Sequence, residues 1–327
     1  MKFYTNATES GSYILLRGYE NGRAFSRKVK YEPTLYVNKK DTAGSKWKSI
    51  EGNDLAPIQF DSIKEAKDFI EKYSDVENFR IYGLPRFAYS FLNEEYRGEI
   101  QYDQNHIRLA NIDIETDSKN GFGTPDTALE EITAITVKKD GKFFVFGCGK
   151  FVSPRPDIVY VECRNERQLL ESFLDEWSRN GYPDVITGWN IDYYDVPYLV
   201  QRITNVLGEK EAKRLSPWGY FSYRKVKIMG RENTSVSLSG ISSLDYLELY
   251  RKFTYKQQDS YRLDNIASIE LGERKLSVSG QVELHKLLSG SDEIRIDEKK
   301  SLSEMVEFEK WCLLKHKIEA EIKSRKS

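Results

Sequence analysis

Histidine and cysteine are scarce in this chain, with three of each among 327 residues. His106, His285 and His316 are too scattered to assemble a histidine-based metal centre. Cys148, Cys163 and Cys312 are widely spaced and odd in number. That argues against a disulfide framework or a zinc site and fits a reducing, cytoplasmic compartment. No apolar run approaches the ~20 residues that span a bilayer, and the N-terminus lacks an apolar signal core, so no membrane association is expected. Net charge is also missing: at −1 the chain has no global field to draw in a polyanion. Any affinity for nucleic acid therefore has to come from a local patch. A G-x-x-x-x-G-K-[ST] phosphate loop is absent, since Gly147-Cys148-Gly149-Lys150 has neither its spacing nor its hydroxyl.

What is present reads as a globular protein long enough for two domains, 39% hydrophobic and 31% charged. Its 21 Tyr and 16 Phe supply rings for packing or for base stacking. Residues 1–104 are expected to form an α+β module. Tyr13 to Tyr19 and Lys28 to Tyr31 flank Asn21-Gly22, a strong hairpin signal. Ser62 has the character of an N-cap for a helix with Ile63, Ala66, Phe69, Ile70 and Tyr73 on one face.

The stretch that organises the rest is Arg108-Leu109-Ala110-Asn111-Ile112-Asp113-Ile114-Glu115-Thr116. Aliphatic residues at 107, 109, 112 and 114 predict a buried strand, and alternation along it sends Asp113 and Glu115 to one face. Two carboxylates on a core strand repel unless a cation neutralises them, and hard oxygen ligands suit Mg²⁺ or Mn²⁺. A strand end at which both acids reach water is the competing account. Asp75-Val76-Glu77 repeats the spacing in a polar context with no strand around it.

Strands at Ile132–Val137 and Phe143–Phe146, joined through Asp140-Gly141, extend the carboxylate strand into an antiparallel meander. Asn165 then caps a helix carrying Leu169, Leu170, Phe173, Leu174 and Trp177. A short strand at 184–188 enters the turn Gly188 to Asp195, followed by a helix with Pro197 in its first turn. The result is an α/β chain with a mixed sheet flanked by helices. Asp195 stands at that helix start, either as an N-cap or as a ligand beyond a strand end. From 202 to 231, eight cations (Arg202, Lys210, Lys213, Arg214, Arg224, Lys225, Lys227, Arg231) face two acids, Glu209 and Glu211, with Trp218, Tyr220, Phe221 and Tyr223 interleaved. This suits a single nucleic-acid strand or, equally, a solvated loop. Lys225 to Leu238, turning near Gly230, has the pattern of a hairpin. Leu244 to Tyr250 and Tyr261 to Ile266 read as helical, and the tail from 297 as a charged helix.

Asp113-Ile114-Glu115, followed by Asn190-x-x-x-Tyr194-Asp195, resembles the first two exonuclease motifs of family-B DNA polymerases. The chain is more closely similar to the N-terminal part of the T-even-type bacteriophage members. Ile186 to Asn190, Ala212 to Pro217, Leu244-Asp245-Tyr246 and Tyr261 to Asp264 recur there in the same order. The resemblance covers roughly residues 1–290 and implies an RNase H-like 3′→5′ proofreading exonuclease domain over 105–290, behind the N-terminal domain. It leaves 291–327 as a diverging tail. It implies that Asp113, Glu115 and Asp195 are the catalytic, metal-binding carboxylates of a two-ion Mg²⁺ or Mn²⁺ site. Phe122, Asn190, Lys225, Lys227 and Lys275 match DNA-contacting positions. The expected partner is single-stranded DNA or a primer 3′ end in the cytoplasm of an infected bacterium. RNA, and a second chain carrying polymerase domains, are further partners it allows. Two departures stand out. The third motif, Tyr-x-x-x-Asp, has no match after Gly280; its nearest equivalent is Met305-Val306-Glu307-Phe308-Glu309, which weakens the expected second metal position. The chain also ends before any palm, fingers or thumb, so polymerisation by it alone is not expected. A catalytically weak binding module, or one half of a split polymerase, is the alternative.

Overall fold

An Asn-Gly turn shapes the start of the chain in the computed structural model. Residues 1–38, 44–117, 121, 123–153, 155–228 and 230–272 are described below. Strands β1 (Lys2–Ser10), β2 (Tyr13–Glu20) and β3 (Arg23–Lys30) form an antiparallel sheet. Asn21 and Gly22 carry φ angles of 52° and 76°, and the register closes at Glu20↔Arg23. Two left-handed residues give a turn whose twist matches that of the strands it joins.

A second sheet has the order β5-β6-β4-β7, from β4 (Thr34–Asn38), β5 (Trp47–Lys48), β6 (Asp54–Gln59) and β7 (Ile81–Tyr82). Helix α1 (Ile63–Tyr73) lies between the last two in sequence. Ser62 Oγ accepts the Glu65 N–H at 3.1 Å, and the Glu65 carboxylate accepts the Asp61 N–H at 3.0 Å. The first bond satisfies a donor that the helix start leaves open, and the second ties the residue before the cap back to the first turn. A further helix, α2 (Phe87–Glu95), was not expected from the sequence. It buries Phe87 and Phe91 against Ile14, Leu16, Leu35 and Ile63. Contacts divide the chain after Ile107 into this unit and a second one beginning at Arg108.

The second unit is built on a six-stranded mixed sheet of order β11-β10-β9-β8-β12-β15. Its meander is β8 (Leu109–Thr116), β9 (Ile132–Lys139) and β10 (Lys142–Gly147), and β11 (Ile158–Glu162) lies parallel to β10. Helix α3 (Glu166–Ser178) is capped by Asn165, whose Oδ1 accepts the Gln168 N–H at 3.0 Å. Next come β12 (Val185–Gly188), α4 (Asp195–Leu207), the short α5 (Glu209–Ala212) and a 3₁₀ turn over Lys213–Leu215. Strands β13 (Phe221–Ile228) and β14 (Arg231–Leu238) pair as a separate antiparallel hairpin. Strand β15 (Ser242–Asp245), helix α6 (Tyr246–Phe253) and helix α7 (Leu263–Leu271) complete the described chain. Leu244 and Asp245, expected to be helical, are strand. The apolar repeat that marks α6 starts one residue later, and parallel pairing with β12 (Gly188↔Asp245) claims the preceding residues.

One face of β8 carries Ala110, Ile112 and Ile114 into a core with Leu170, Phe173, Leu174, Val196, Leu199 and Ile203 from α3 and α4. Each such aliphatic or aromatic side chain contributes about 1.5–3 kcal/mol on full burial. The other face of β8 carries Asn111, Asp113 and Glu115. Tyr246 and Tyr250 of α6 and Ile266 of α7 form a smaller cluster with Phe143 and Ile158.

Candidate functional site

Strand β12 is shorter than β8, and that difference creates the site. The two run parallel only over Val185↔Leu109, Ile186↔Ala110 and Thr187↔Asn111. Beyond Gly188 no strand among the described residues lies beside that edge of β8, so the Ile114 N–H needs another acceptor. It finds Asp195 Oδ1 at 3.2 Å. The carboxylate at the start of α4 is thus brought to the backbone position between Asp113 and Glu115. Both of those side chains are half-buried. On the far side β8 pairs with β9, Asp113 opposite Thr136 and Glu115 opposite Ala134. The register slips immediately after Glu115, where Thr133 Oγ1 donates to the Glu115 carbonyl at 3.2 Å.

The turn that delivers Asp195 is tightly built. Gly188 passes so close to β8 that a Cβ there would lie 2.6 Å from the Ile112 carbonyl oxygen. Asn190 takes φ 65°, a left-handed angle that Asn tolerates better than most residues. Its carbonyl accepts the N–H groups of Tyr193 and Tyr194 at 3.3 and 3.1 Å. The Tyr194 hydroxyl lies 3.2 Å from Thr116 Oγ1. Burial, together with the charges of Asp195 and Glu115, raises the Tyr194 pKa, and the bond to Thr116 works against the rise.

Asp195 is 4% exposed. Burial pushes its carboxyl up to about 7. The negative charges of Asp245 and Glu115 add to that, while the N–H groups of Ile114 and of Asp195 itself oppose it. Asp245 is pushed up to about 6 by burial and by Asp192, against the backbone N–H groups it accepts. A carboxylate cluster with these properties has the donor chemistry for a hard divalent cation, which would remove the repulsion and favour the ionised forms. Among the described residues, no three His, Cys, Asp or Glu side chains already stand in metal-holding geometry.

Asp113, Glu115 and Asp195 are brought to one segment of β8, and Asn190 forms the turn before Asp195. Lys225 and Lys227 lie apart from these on β13, both exposed, and Lys225 reaches Glu232 across the hairpin at 3.4 Å. Phe122, Lys275 and the segment from Met305 to Glu309 lie outside the described residues.

Besides Lys225, three of the eight cations of 202–231 are taken up by acids. Arg202 turns inward and grips Glu166 through two 2.7 Å bonds. Arg214 pairs with Asp175 and Glu211, and Lys213 with Glu209. Counting charge within the window missed Glu166 and Asp175, which are supplied by α3. Asp245 also went unrecognised as part of the site's surroundings. Its short-range signal, an Asx cap for α6 with the Leu247 N–H at 2.9 Å, gives no hint of its distant partners.

Residues 30–266 match the family model for the DNA polymerase family B exonuclease domain. The chain is 33% identical over 309 residues to the DNA-directed DNA polymerase of Escherichia phage RB69, covering 86% of this chain and 34% of that protein. It is 32% identical, over the same shares, to the DNA-directed DNA polymerase of Enterobacteria phage T4. A DNA polymerase delta catalytic subunit of Oryza sativa subsp. japonica is 28% identical over 202 residues, 58% of this chain and 18% of that one. The chain therefore spans about a third of the length of the phage relatives it matches. Exonuclease domains of family-B polymerases are RNase H-like, and the six-stranded mixed sheet with helices packed on it agrees with that architecture. On the matched span and the architecture together, the chain belongs to the family-B DNA polymerase exonuclease-domain family.

Proposed function

We propose that this chain is the N-terminal and proofreading portion of a phage replicative DNA polymerase. Its activity is the metal-dependent removal of the 3′-terminal nucleotide from single-stranded or frayed DNA. The observation that carries this reading is the bond from the Ile114 N–H to Asp195, which gathers Asp195 to the strand segment bearing Asp113 and Glu115. Exonuclease domains of this family are divalent-metal dependent, and the three carboxylates have the donor chemistry to hold Mg²⁺ or Mn²⁺. Held by Asp113, Glu115 and Asp195, such ions would supply acidification of a water and stabilisation of a leaving 3′-oxygen. Burial raises the Asp195 pKa to about 7, so a bound cation would shift it toward the ionised form that can serve as a ligand.

Phe122, Asn190, Lys225, Lys227 and Lys275 are assigned to holding the strand, by base stacking and phosphate contact. The site of action is the cytoplasm of an infected bacterium. No helix among the described residues is long and apolar enough to cross a membrane. Met305 and Glu309, standing where the family's third motif has Tyr and Asp, favour a second reading. In it the same fold holds DNA or RNA without cutting it, or awaits a second chain with the polymerase domains.

Degradation of a 3′-labelled single strand in Mg²⁺ or Mn²⁺, with Asp113→Ala alongside, decides between the two. Loss of 3′ nucleotides with the parent chain only supports the nuclease. Equal loss with both removes the site assignment. Intact strands with retained binding transfer support to the second reading.

A further inference from the structure

We propose that Asp245 is a positioning residue for the candidate site: by binding the turn at 190–192 it aims Asp195 at the strand segment between Asp113 and Glu115. This rests on the reading of Asp195 as a site carboxylate. Asp245 is the last residue of β15, on the edge of the sheet, and is 4% exposed. Its Oδ1 accepts the N–H groups of Leu247 at 2.9 Å and Asn190 at 3.0 Å, and its Oδ2 accepts the N–H of Asp192 at 3.1 Å.

Only the Leu247 bond is needed to cap α6. The other two reach 55 and 53 residues back along the chain, to the turn between β12 and α4. The turn's own bonds, from the Tyr193 and Tyr194 N–H groups to the Asn190 carbonyl, fix its far end, and the N–H groups of Asn190 and Asp192 are taken up by Asp245. The turn opens where Gly188 is pressed against β8 and passes through Asn190 at φ 65°. It then presents two N–H groups to the same side. One buried carboxylate satisfies both and costs neither strand any pairing. Asp192 is tied in as well, through a hydrogen bond from the Ser243 hydroxyl to its carboxylate. Three residues further on, α4 begins with Asp195, whose Oδ1 meets the Ile114 N–H. With each oxygen of Asp245 committed to backbone donors, its place is behind the site, acting through the turn.

The test uses the full 327-residue chain and two variants. Asp245→Asn keeps the shape but turns an NH₂ toward one of the turn's donors. Asp245→Ser keeps a cap for α6 and loses the reach to Asn190 and Asp192. If positioning is right, amide hydrogen exchange at Ile114, Asn190 and Asp192 speeds up at least about tenfold in both variants. Amides paired between β9 and β10 keep their parent rates. Mn²⁺ affinity by calorimetric titration falls about 10- to 100-fold, the usual cost of losing support behind a ligand. A role confined to capping α6 predicts parent values for Ile114 exchange and for Mn²⁺ affinity in Asp245→Ser, and that result overturns the proposal. If Asp245→Asn does not fold, Asp245→Ser decides alone. Should the parent chain bind no Mn²⁺, the metal-site reading falls while Ile114 exchange still tests the positioning.

Discussion

Asp75-Val76-Glu77 and Asp113-Ile114-Glu115 are the same pattern in two surroundings. The first follows the end of α1, and all three of its residues are exposed. The second is the middle of a central strand with Ile114 6% exposed, and a third carboxylate arrives from α4. Spacing alone gives both pairs the same chance of meeting on one face. What separates them is whether strand neighbours fix the backbone and whether burial makes uncompensated charge expensive. The chemistry proposed for the second pair is therefore a property of its scaffold, and the tests below change that scaffold, its charge or the exposed copy of the pattern.

The largest effect is expected from Arg202→Ala. Its guanidinium and the Glu166 carboxylate are 12% and 9% exposed, and Glu166 also accepts the Ile132 N–H at 2.7 Å. Ile132 is the residue of β9 that pairs with Thr116, next to Glu115. Arg202 itself donates to the Leu129 carbonyl at 2.7 Å. Removing it leaves a buried carboxylate without its partner, at a cost of about 3–5 kcal/mol. Urea unfolding should register that loss. A change below about 1 kcal/mol would mean the pair contributes no more than an exposed one.

Next in size is a pH effect confined to the second pair's surroundings. Asp195 and Asp245 have folded pKa values raised to about 7 and about 6 from 3.8. The folded chain then holds these protons more tightly than the unfolded chain does, between pH 4 and 7. Their contribution to stability is present at low pH and is lost as pH rises through the folded values. In EDTA, Tm should fall by roughly 5 °C from pH 5 to pH 8. Asp195→Asn should remove most of that slope, and millimolar Mn²⁺ at pH 8 should restore Tm. A flat profile in EDTA is the outcome that contradicts the raised values.

Local chemistry was legible in the sequence, and distant partnership was not. Asn21-Gly22 and Asp140-Gly141 announced turns because their left-handed angles are a property of two adjacent residues. Ser62 and Asn165 announced helix starts because a cap acts over three residues. Asp195 carried no such signal. As an N-cap or as a ligand it reads alike, and its bond to Ile114 joins residues 81 apart. Arg202 misled for the same reason: its acid lies on a helix 36 residues earlier, so a window of charges counted it as free surface. Leu244 and Asp245 carry a helical pattern in the sequence, and pairing with β12, far back in the chain, makes them strand.

The smallest effect is the control that gives the comparison its force. Asp75→Asn combined with Glu77→Gln removes two charges from exposed positions outside any helix or strand. Surface changes of this kind stay within about 0.5 kcal/mol, and neither residue serves a buried donor in the way Asp195 does. Urea unfolding of the double variant should superimpose on that of the parent, and cleavage of a 3′-labelled strand, where the parent shows it, should be unchanged. A loss of cleavage with normal stability would mean that the exposed pair meets the nucleic acid. Function would then follow the Asp-x-Glu spacing into a loop, and the buried scaffold around Asp113 would no longer explain why one copy of the pattern is special.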